Sequence, residues 1–189
     1  MGSTDATGYG PQPELTDGVV LLTPFRAEDA RTMVEWDHDP NIALWFDFPP
    51  LPPEHEHVEH VRGVIAQWHE DYAVGSRIAW AVRDPTNGRL LGSVELRPRQ
   101  DGAADVSYAT HPAHRGRGFA TRALRLACAW AFDHGFARLV VEYDTRNVPS
   151  ANVARGAGFV EIERRPGGMS YEHGGSPGDA VIAELRPLS

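Results

Sequence analysis

"HRGRGFATRAL", residues 114–124, places three arginines and two glycines just before an apolar helical pattern. The glycines, Gly116 and Gly118, leave the main chain bare where something must approach it, and the arginines add positive charge beside the unpaired N–H groups that open a helix. Together these features describe an anion site. A nucleotide P-loop needs G-x-x-x-x-G-K-[ST], and no lysine occurs here. The dinucleotide fingerprint G-x-G-x-x-G fits Gly116 and Gly118 but meets Thr121 where its third glycine belongs, although Glu142 ends the next strand as that motif requires. R-x-x-G-x-A, Arg115 to Ala120, remains: a strand-to-helix turn whose N–H groups and helix dipole face a pyrophosphate, against the simpler reading of a solvated basic turn.

Outward from this turn the chain alternates in type. Upstream, "RIAWAVRD" (77–84), "RLLGSVELRPR" (89–99) and "ADVSYATHP" (104–112) read as strands, joined into hairpins by "DPTNGR" and "PRQDGAA". Downstream, Leu124, Ala127 or Cys128, Ala131 and Phe132 mark the buried face of a helix that ends at Gly135. The nearly all-apolar "ARLVVEYD" (137–144) fits a strand covered on both faces. A short helix, "PSANVARGAG" (149–158), follows. Strands "FVEIERR" (159–165) and "AVIAELRP" (180–187) flank a disordered-looking loop, "PGGMSYEHGGSPGD". Toward the N-terminus, "VVLLTPF" (19–25) is a strand and "EDARTMVEWDHD" (28–39) a helix stopped by Pro40. "WFDFPPLPP" reads as a rigid surface loop, and from Glu54 a helix carries Val58, Val61, Ile65 and Trp68 on one stripe. The order predicts a single α/β domain over 18–189, with a mixed, mostly antiparallel sheet of about seven strands and about four helices. Residues 1–17, rich in Gly, Pro, Thr and Asp, read as a flexible tail.

Composition narrows the function classes. Of 189 residues, 41% are hydrophobic and 23% charged, and no apolar run reaches the roughly 18 residues of a membrane span. With no signal peptide in its opening residues, the expected address is cytoplasmic. A net charge of -8 opposes non-specific nucleic-acid binding and suits amine-bearing partners. Cys128 is the single cysteine and falls on the helix's apolar face, where a buried structural thiol is expected.

Two motifs carry a family resemblance. "HPAHRGRGFATRAL" is similar to the acyl-coenzyme A pyrophosphate loop, R/Q-x-x-G-x-G/A, of the GNAT (Gcn5-related) N-acetyltransferases. About 30 residues on, "NVPSANVARGAGF" fits the family pattern N-x-x-S-x-x-V-x-x-x-x-G-F through Asn147, Ser150, Val153, Gly158 and Phe159. "LLTPFRAEDARTMVEWDHDPNIALWF" and the "DAVIAEL" ending resemble the RimJ/RimL branch, which acetylates N-terminal amines of ribosomal proteins. The resemblance spans roughly residues 19 to 187 and implies the GNAT fold and acetyl-CoA as acyl donor. It leaves the acceptor open: a peptide or protein N-terminal α-amine, or a small amine such as a polyamine, antibiotic or metabolite. A longer acyl group such as succinyl also fits the branch, and from another class so does a non-catalytic acyl-CoA sensor. Neither nucleic acid nor membrane is an expected partner, and both monomer and homodimer are compatible.

Acyl transfer to an amine needs a neutral nucleophile, a stabilised oxyanion and a proton for the leaving thiolate. Deprotonating an α-amine of pKa about 8 at pH 7 costs about 1.4 kcal/mol, and a lysine-like amine about 4.6, so an α-amine needs only a weak base or a water relay. The candidate bases are Glu95 and Asp105, the latter where the resemblance puts a catalytic glutamate; Glu95 has the longer reach. Either is also an ordinary strand carboxylate. Backbone groups from Ala109 through Thr110 to His111 would meet the oxyanion, where the strand parts from its neighbour. The resemblance assigns cofactor contacts to Arg115, Gly116, Arg117, Gly118, Phe119, Ala120, Thr121 and Asn147. It names Ser150 as the donor that reprotonates the sulfur. Ser150 as a helix cap and Tyr108 as the acid are the alternatives. His57 and His60 lie three apart in "EHEHVEH", but His55 points elsewhere, so a polar helix start is expected there and no metal site. Trp45, Phe46 and Phe48 are either acceptor-groove walls or core.

Overall fold

The computed structural model describes residues 9–173 and 175–187. Strands β1 (Leu15–Thr16) and β2 (Leu21–Pro24) lead into helices α1 (Asp29–Asp37), α2 (Pro40–Phe46) and α3 (Glu54–Ala73). There follow β3 (Ile78–Arg83), β4 (Leu90–Pro98), β5 (Ala103–Thr110), a 3₁₀ turn (Pro112–His114), α4 (Phe119–Asp133) and β6 (Arg138–Asp144). Helix α5 (Val148–Gly156), β7 (Val160–Met169) and β8 (Gly178–Leu185) complete the chain. One sheet runs β1-β2-β3-β4-β5-β6-β8-β7. Every pairing is antiparallel except β5 with β6, the two strands that flank α4.

Strand alternation sorts the side chains into two cores. On β3, Ile78, Trp80 and Val82 join the layer beneath α4 and α5, with Leu124, Ala127, Cys128 and Ala131 packed over them. Ala79 and Ala81 face the opposite layer, where Ala30, Met33 and Val34 of α1 meet Val61 and Ile65 of α3. Burial pushes the Cys128 thiol up to about 12, so it is an inert part of the first core. A buried ion pair fastens the second layer to the sheet: Arg83 donates to both Asp29 oxygens (2.9 and 2.6 Å) and to Thr23 Oγ1.

The mixed α/β architecture matches the sequence reading, with one more strand and one more helix. Pro40 does not only follow the end of α1; it occupies the first turn of α2. Asp39, in an extended conformation, caps that helix by accepting from the N–H groups of Asn41 and Ile42. The segment read as tail is built into the domain from residue 9 onward, while residues 1–8 lie outside the described residues. Trp80 Nε1 donates to Pro13 O, Gln12 donates to Ala79 O, and Tyr9 packs edge-on against Trp130. Scattered side chains that fill existing gaps leave no periodicity to read. The glycine-rich loop is also tethered: the N–H groups of Glu172 and His173 donate to the Asp47 carboxylate, and Tyr171 Oη donates to Asp144.

Candidate active site

The site begins where β5 and β6 part. Their pairing covers Ala103 to Asp105 against Arg138 to Val140, while β5 stays paired to β4 as far as Thr110. The ladder's ends, Arg99 N–H to Ala103 O and His111 N–H to Leu91 O, fix which groups face β4. By alternation the odd-numbered groups from 103 to 111 bond β4, and the N–H groups of Tyr108 and Thr110 face the gap toward β6. That corrects the expected trio: Ala109 and His111 turn their N–H groups into the sheet. The His111 ring is also engaged, accepting from Ala113 N.

On one side of the parting lies a cleft of about 680 Å³, walled by Thr110, residues 114–121, Asn147 and Ser150. All the expected cofactor contacts except His111 line it. Gly116 and Gly118 adopt φ +74° and +77°, in the left-handed region that favours glycine, and a Cβ at either would meet only open space. No side chain caps α4, so its first-turn N–H groups face the cleft beside Arg115 and Arg117. These features fit a diphosphate. Sequence reasoning missed His114, which lines the same cleft, is buried, and has an Nδ1 with no partner. Arg115 reaches across to Asp39, forming ion-paired hydrogen bonds of 3.1 and 2.7 Å that tie the loop to the start of α2.

A second cavity, about 360 Å³, opens on the other face of the sheet under α1, α2 and α3. Aromatic and proline side chains form part of its wall, Phe46 and Phe48 among them, which assigns these two to the cavity lining. Trp45 instead lines the first cleft and packs against Tyr171. Ile42, Phe46, Tyr108 and Ala109 line both spaces, so the two meet at the parting of β5 and β6.

Glu95 lies on the floor of the second cavity opposite Ser107, and its two oxygens accept from Arg97 and Arg77 (3.0 Å). Both oxygens are therefore engaged in ion pairs. Asp105 lies four residues along β5 from Ala109, about 13 Å at about 3.3 Å per residue. It pairs with Arg99 (3.3 Å) and lines neither space, so the position expected of a base lies at the closed end of the parting, away from the point where the two spaces meet. Ser150 lies in the first turns of α5, where Asn147 Oδ1 accepts its N–H. Ser150 Oγ is 3.0 Å from Tyr108 Oη, which also donates to Ser150 O. Burial pushes the Tyr108 phenol up to about 12, so it keeps its proton, and the two hydroxyls form one proton-bearing pair between the strands. His57 and Asp37, a buried pair on the cavity wall, went unread in the sequence because their joining depends on α1 packing against α3.

The model of the acetyltransferase (GNAT) domain matches residues 20–160. Comparison with curated proteins gives no match. Among solved structures, ribosomal-protein-S5-alanine acetyltransferase from Vibrio fischeri superposes with a TM-score of 0.78 at 19% identity, covering 92% of this chain and 96% of that one. RimJ of Mycobacterium smegmatis, in complex with CoA-disulfide, gives 0.78 at 18%, covering 92% and 86%. Spermidine N-acetyltransferase from Vibrio cholerae, with CoA and spermine, gives 0.73 at 17%, covering 90% and 96%. With the strand parting, the glycine turn at the start of α4 and the matched domain in agreement, the chain belongs to the GNAT family of acetyltransferases, whose acyl donor is acetyl-CoA.

Proposed function

We propose that this protein acetylates the α-amine at the N-terminus of a peptide or protein, with the amine entering through the cavity under α1–α3. The observation that carries the reading is the shared wall of Ile42, Phe46, Tyr108 and Ala109, which joins a diphosphate-fitting cleft to an apolar cavity through the gap in the sheet. Bound acetyl-CoA supplies a thioester carbonyl open to attack by an amine. The Thr110 N–H, directed into the gap, offers the oxyanion a donor, and the Ser150–Tyr108 pair offers the departing sulfur a proton.

The cavity's chemistry favours an α-amine carrying an apolar side chain over a polyamine. A polycation needs carboxylates with free oxygens, yet Glu95 is held by two arginines and Asp37 by His57. An α-amine also makes the smaller demand on a base. Similarity to the ribosomal-protein acetyltransferases supports the same acceptor, and the spermidine enzyme keeps the small-amine reading as the competitor.

The test is free-thiol release from acetyl-CoA and succinyl-CoA, with peptides starting in Ala, Ser and Phe and with spermidine and an aminoglycoside as acceptors. Peptides are expected to exceed the polyamine at least tenfold in kcat/KM, and Ser150→Ala to lower turnover about 100-fold. Spermidine as the best acceptor overturns the α-amine assignment. Coenzyme A binding without turnover of any amine makes the protein a sensor.

A further inference from the structure

Asp37, at the end of α1, and His57, on α3, form a pair whose role in the fold is hard to justify by stability. His57 Nε2 lies 3.2 Å from Asp37 Oδ2, with the side chains 5% and 9% exposed. With a carboxylate oxygen at this distance from Nε2, the neutral ring that carries its hydrogen on Nε2 is the favoured tautomer, and Nδ1 is then a lone-pair acceptor. That Nδ1 is buried and has no partner. An unsatisfied buried polar atom costs about 1–3 kcal/mol, and α1 and α3 already pack through Ala30, Met33 and Val34 against Val61 and Ile65. Burial also disfavours charge on both groups: it lifts the Asp37 carboxyl to about 6 and, together with His38 and His60 nearby, lowers His57. Buried titratable groups kept at a cost on a cavity wall are the usual mark of a functional site.

Both residues line the acceptor cavity. Their surroundings connect them to the donor side. Trp36, next to Asp37, has its ring 6.3 Å from His111, just past the end of β5, and Asp39 holds Arg115 of the pyrophosphate turn. The imidazole lines the cavity with Nδ1 sealed in its wall, so an entering amine that displaces a neighbouring side chain gives Nδ1 its missing donor.

We propose that His57 is the group that receives the acceptor amine and takes up its proton, with Asp37 as the residue that positions the ring; this rests on the acetyltransferase reading above. The acyl–nitrogen bond forms as the acyl–sulfur bond breaks, the acceptor's proton passes to His57 Nδ1, and the sulfur takes a proton from the Ser150–Tyr108 pair. A weak base suffices, because a nitrogen that has bonded to the carbonyl carbon releases its proton far more readily than a free ammonium does. The charged and titratable groups facing the imidazole are Asp37 and His38 from α1 and His60 from α3, while Arg77, Glu95 and Arg97 from the sheet share the cavity. The pair titrates as a unit, so one acid limb belongs to both residues.

The test compares the wild type with His57→Gln, His57→Ala and Asp37→Asn, using the best acceptor from the amine panel. His57→Gln is expected to lower kcat on the order of 100-fold with KM within threefold, and to remove the acid limb of the kcat–pH profile. Coenzyme A binding by calorimetry stays unchanged, and added imidazole restores turnover to His57→Ala. Asp37→Asn is expected to lower kcat about tenfold and shift that limb. Histidine-ring 15N spectra of the wild type provide a readout that needs no folded variant: phenylalaninamide should move the His57 Nδ1 resonance. A wild type that turns over while His57→Gln retains its kcat and pH limb overturns this inference alone, as does an Nδ1 resonance that stays in place. A wild type that turns over no amine overturns the acetyltransferase reading and this inference with it.

Discussion

The two sides of the parted sheet are built by different means. On the side of the glycine turn the cleft presents main-chain N–H groups at the start of α4, left open by Gly116 and Gly118. On the other side the cavity is lined by side chains from three helices, two loops and β4, among them Asp37, His57, Phe46, Phe48, Arg77, Glu95 and Arg97. Main-chain recognition demands particular residues at fixed spacing, because only glycine tolerates both the left-handed turn and the close approach. Side-chain recognition demands only that some residue of suitable chemistry arrive there, from whichever element passes. One side is therefore constrained in sequence and the other in three dimensions.

The largest effect expected from disturbing this division is loss of the acceptor layer itself. Asp29→Ala would leave Arg83 buried with only Thr23 and the Gly88 carbonyl as partners, and breaking a buried pair in this way costs about 3–5 kcal/mol. Urea unfolding measures it, and a loss below about 1 kcal/mol would show that these two contacts suffice for Arg83. Gly92→Ala probes the seam between the two sides. A Cβ there collides with the Ala109 carbonyl oxygen and lies 3.2 Å from Thr110 Cα, so β5 must shift at the parting. The expected result is a stability loss of about 1–3 kcal/mol, a turnover loss on the order of 100-fold, and coenzyme A affinity within threefold of wild type. An equal fall in affinity and turnover would mean that the two sides are not separable.

This division also explains what was legible in the sequence. Gly116 and Gly118, the apolar face of α4 and the Asn147–Ser150 spacing are local patterns; the structure brings the glycines, Asn147 and Ser150 together in one cleft and packs the α4 face into the core. Helix α2 is hidden in the sequence because Pro40 after a helical pattern signals a stop, although the same residue after a capping Asp39 is a start. Residues 9–17 carry no periodicity; what holds them is single contacts such as Trp80 to Pro13 O, made by side chains far along the chain. Glu95 could be named as a candidate base, but its partner Arg77 reaches it only through the pairing of β3 with β4. His57 was visible only as one of three histidines at a polar helix start. Its burial against Asp37 follows from the docking of α3 on α1, which no short window contains.

The smallest expected effect comes from an ion pair that crosses between the two regions. Asp39 caps α2 and also holds Arg115, whose guanidinium keeps the Asp39 carboxyl below its usual range. A partly exposed pair of this kind contributes at most about 1 kcal/mol to stability, so its consequence lies in binding. An incoming diphosphate must compete with Asp39 for Arg115. Asn at this position keeps the helix cap but removes the competing charge. Asp39→Asn should therefore leave the melting temperature within about 2 °C while tightening coenzyme A binding by roughly two- to fivefold at low salt. The gain should shrink as ionic strength rises toward 0.5 M, because partly exposed charges are screened there. Calorimetry at two salt concentrations is the measurement. Weaker binding in the variant would reverse the argument: Asp39 would then be holding Arg115 in place for the phosphates, and the acceptor-side helices would be part of the cofactor site.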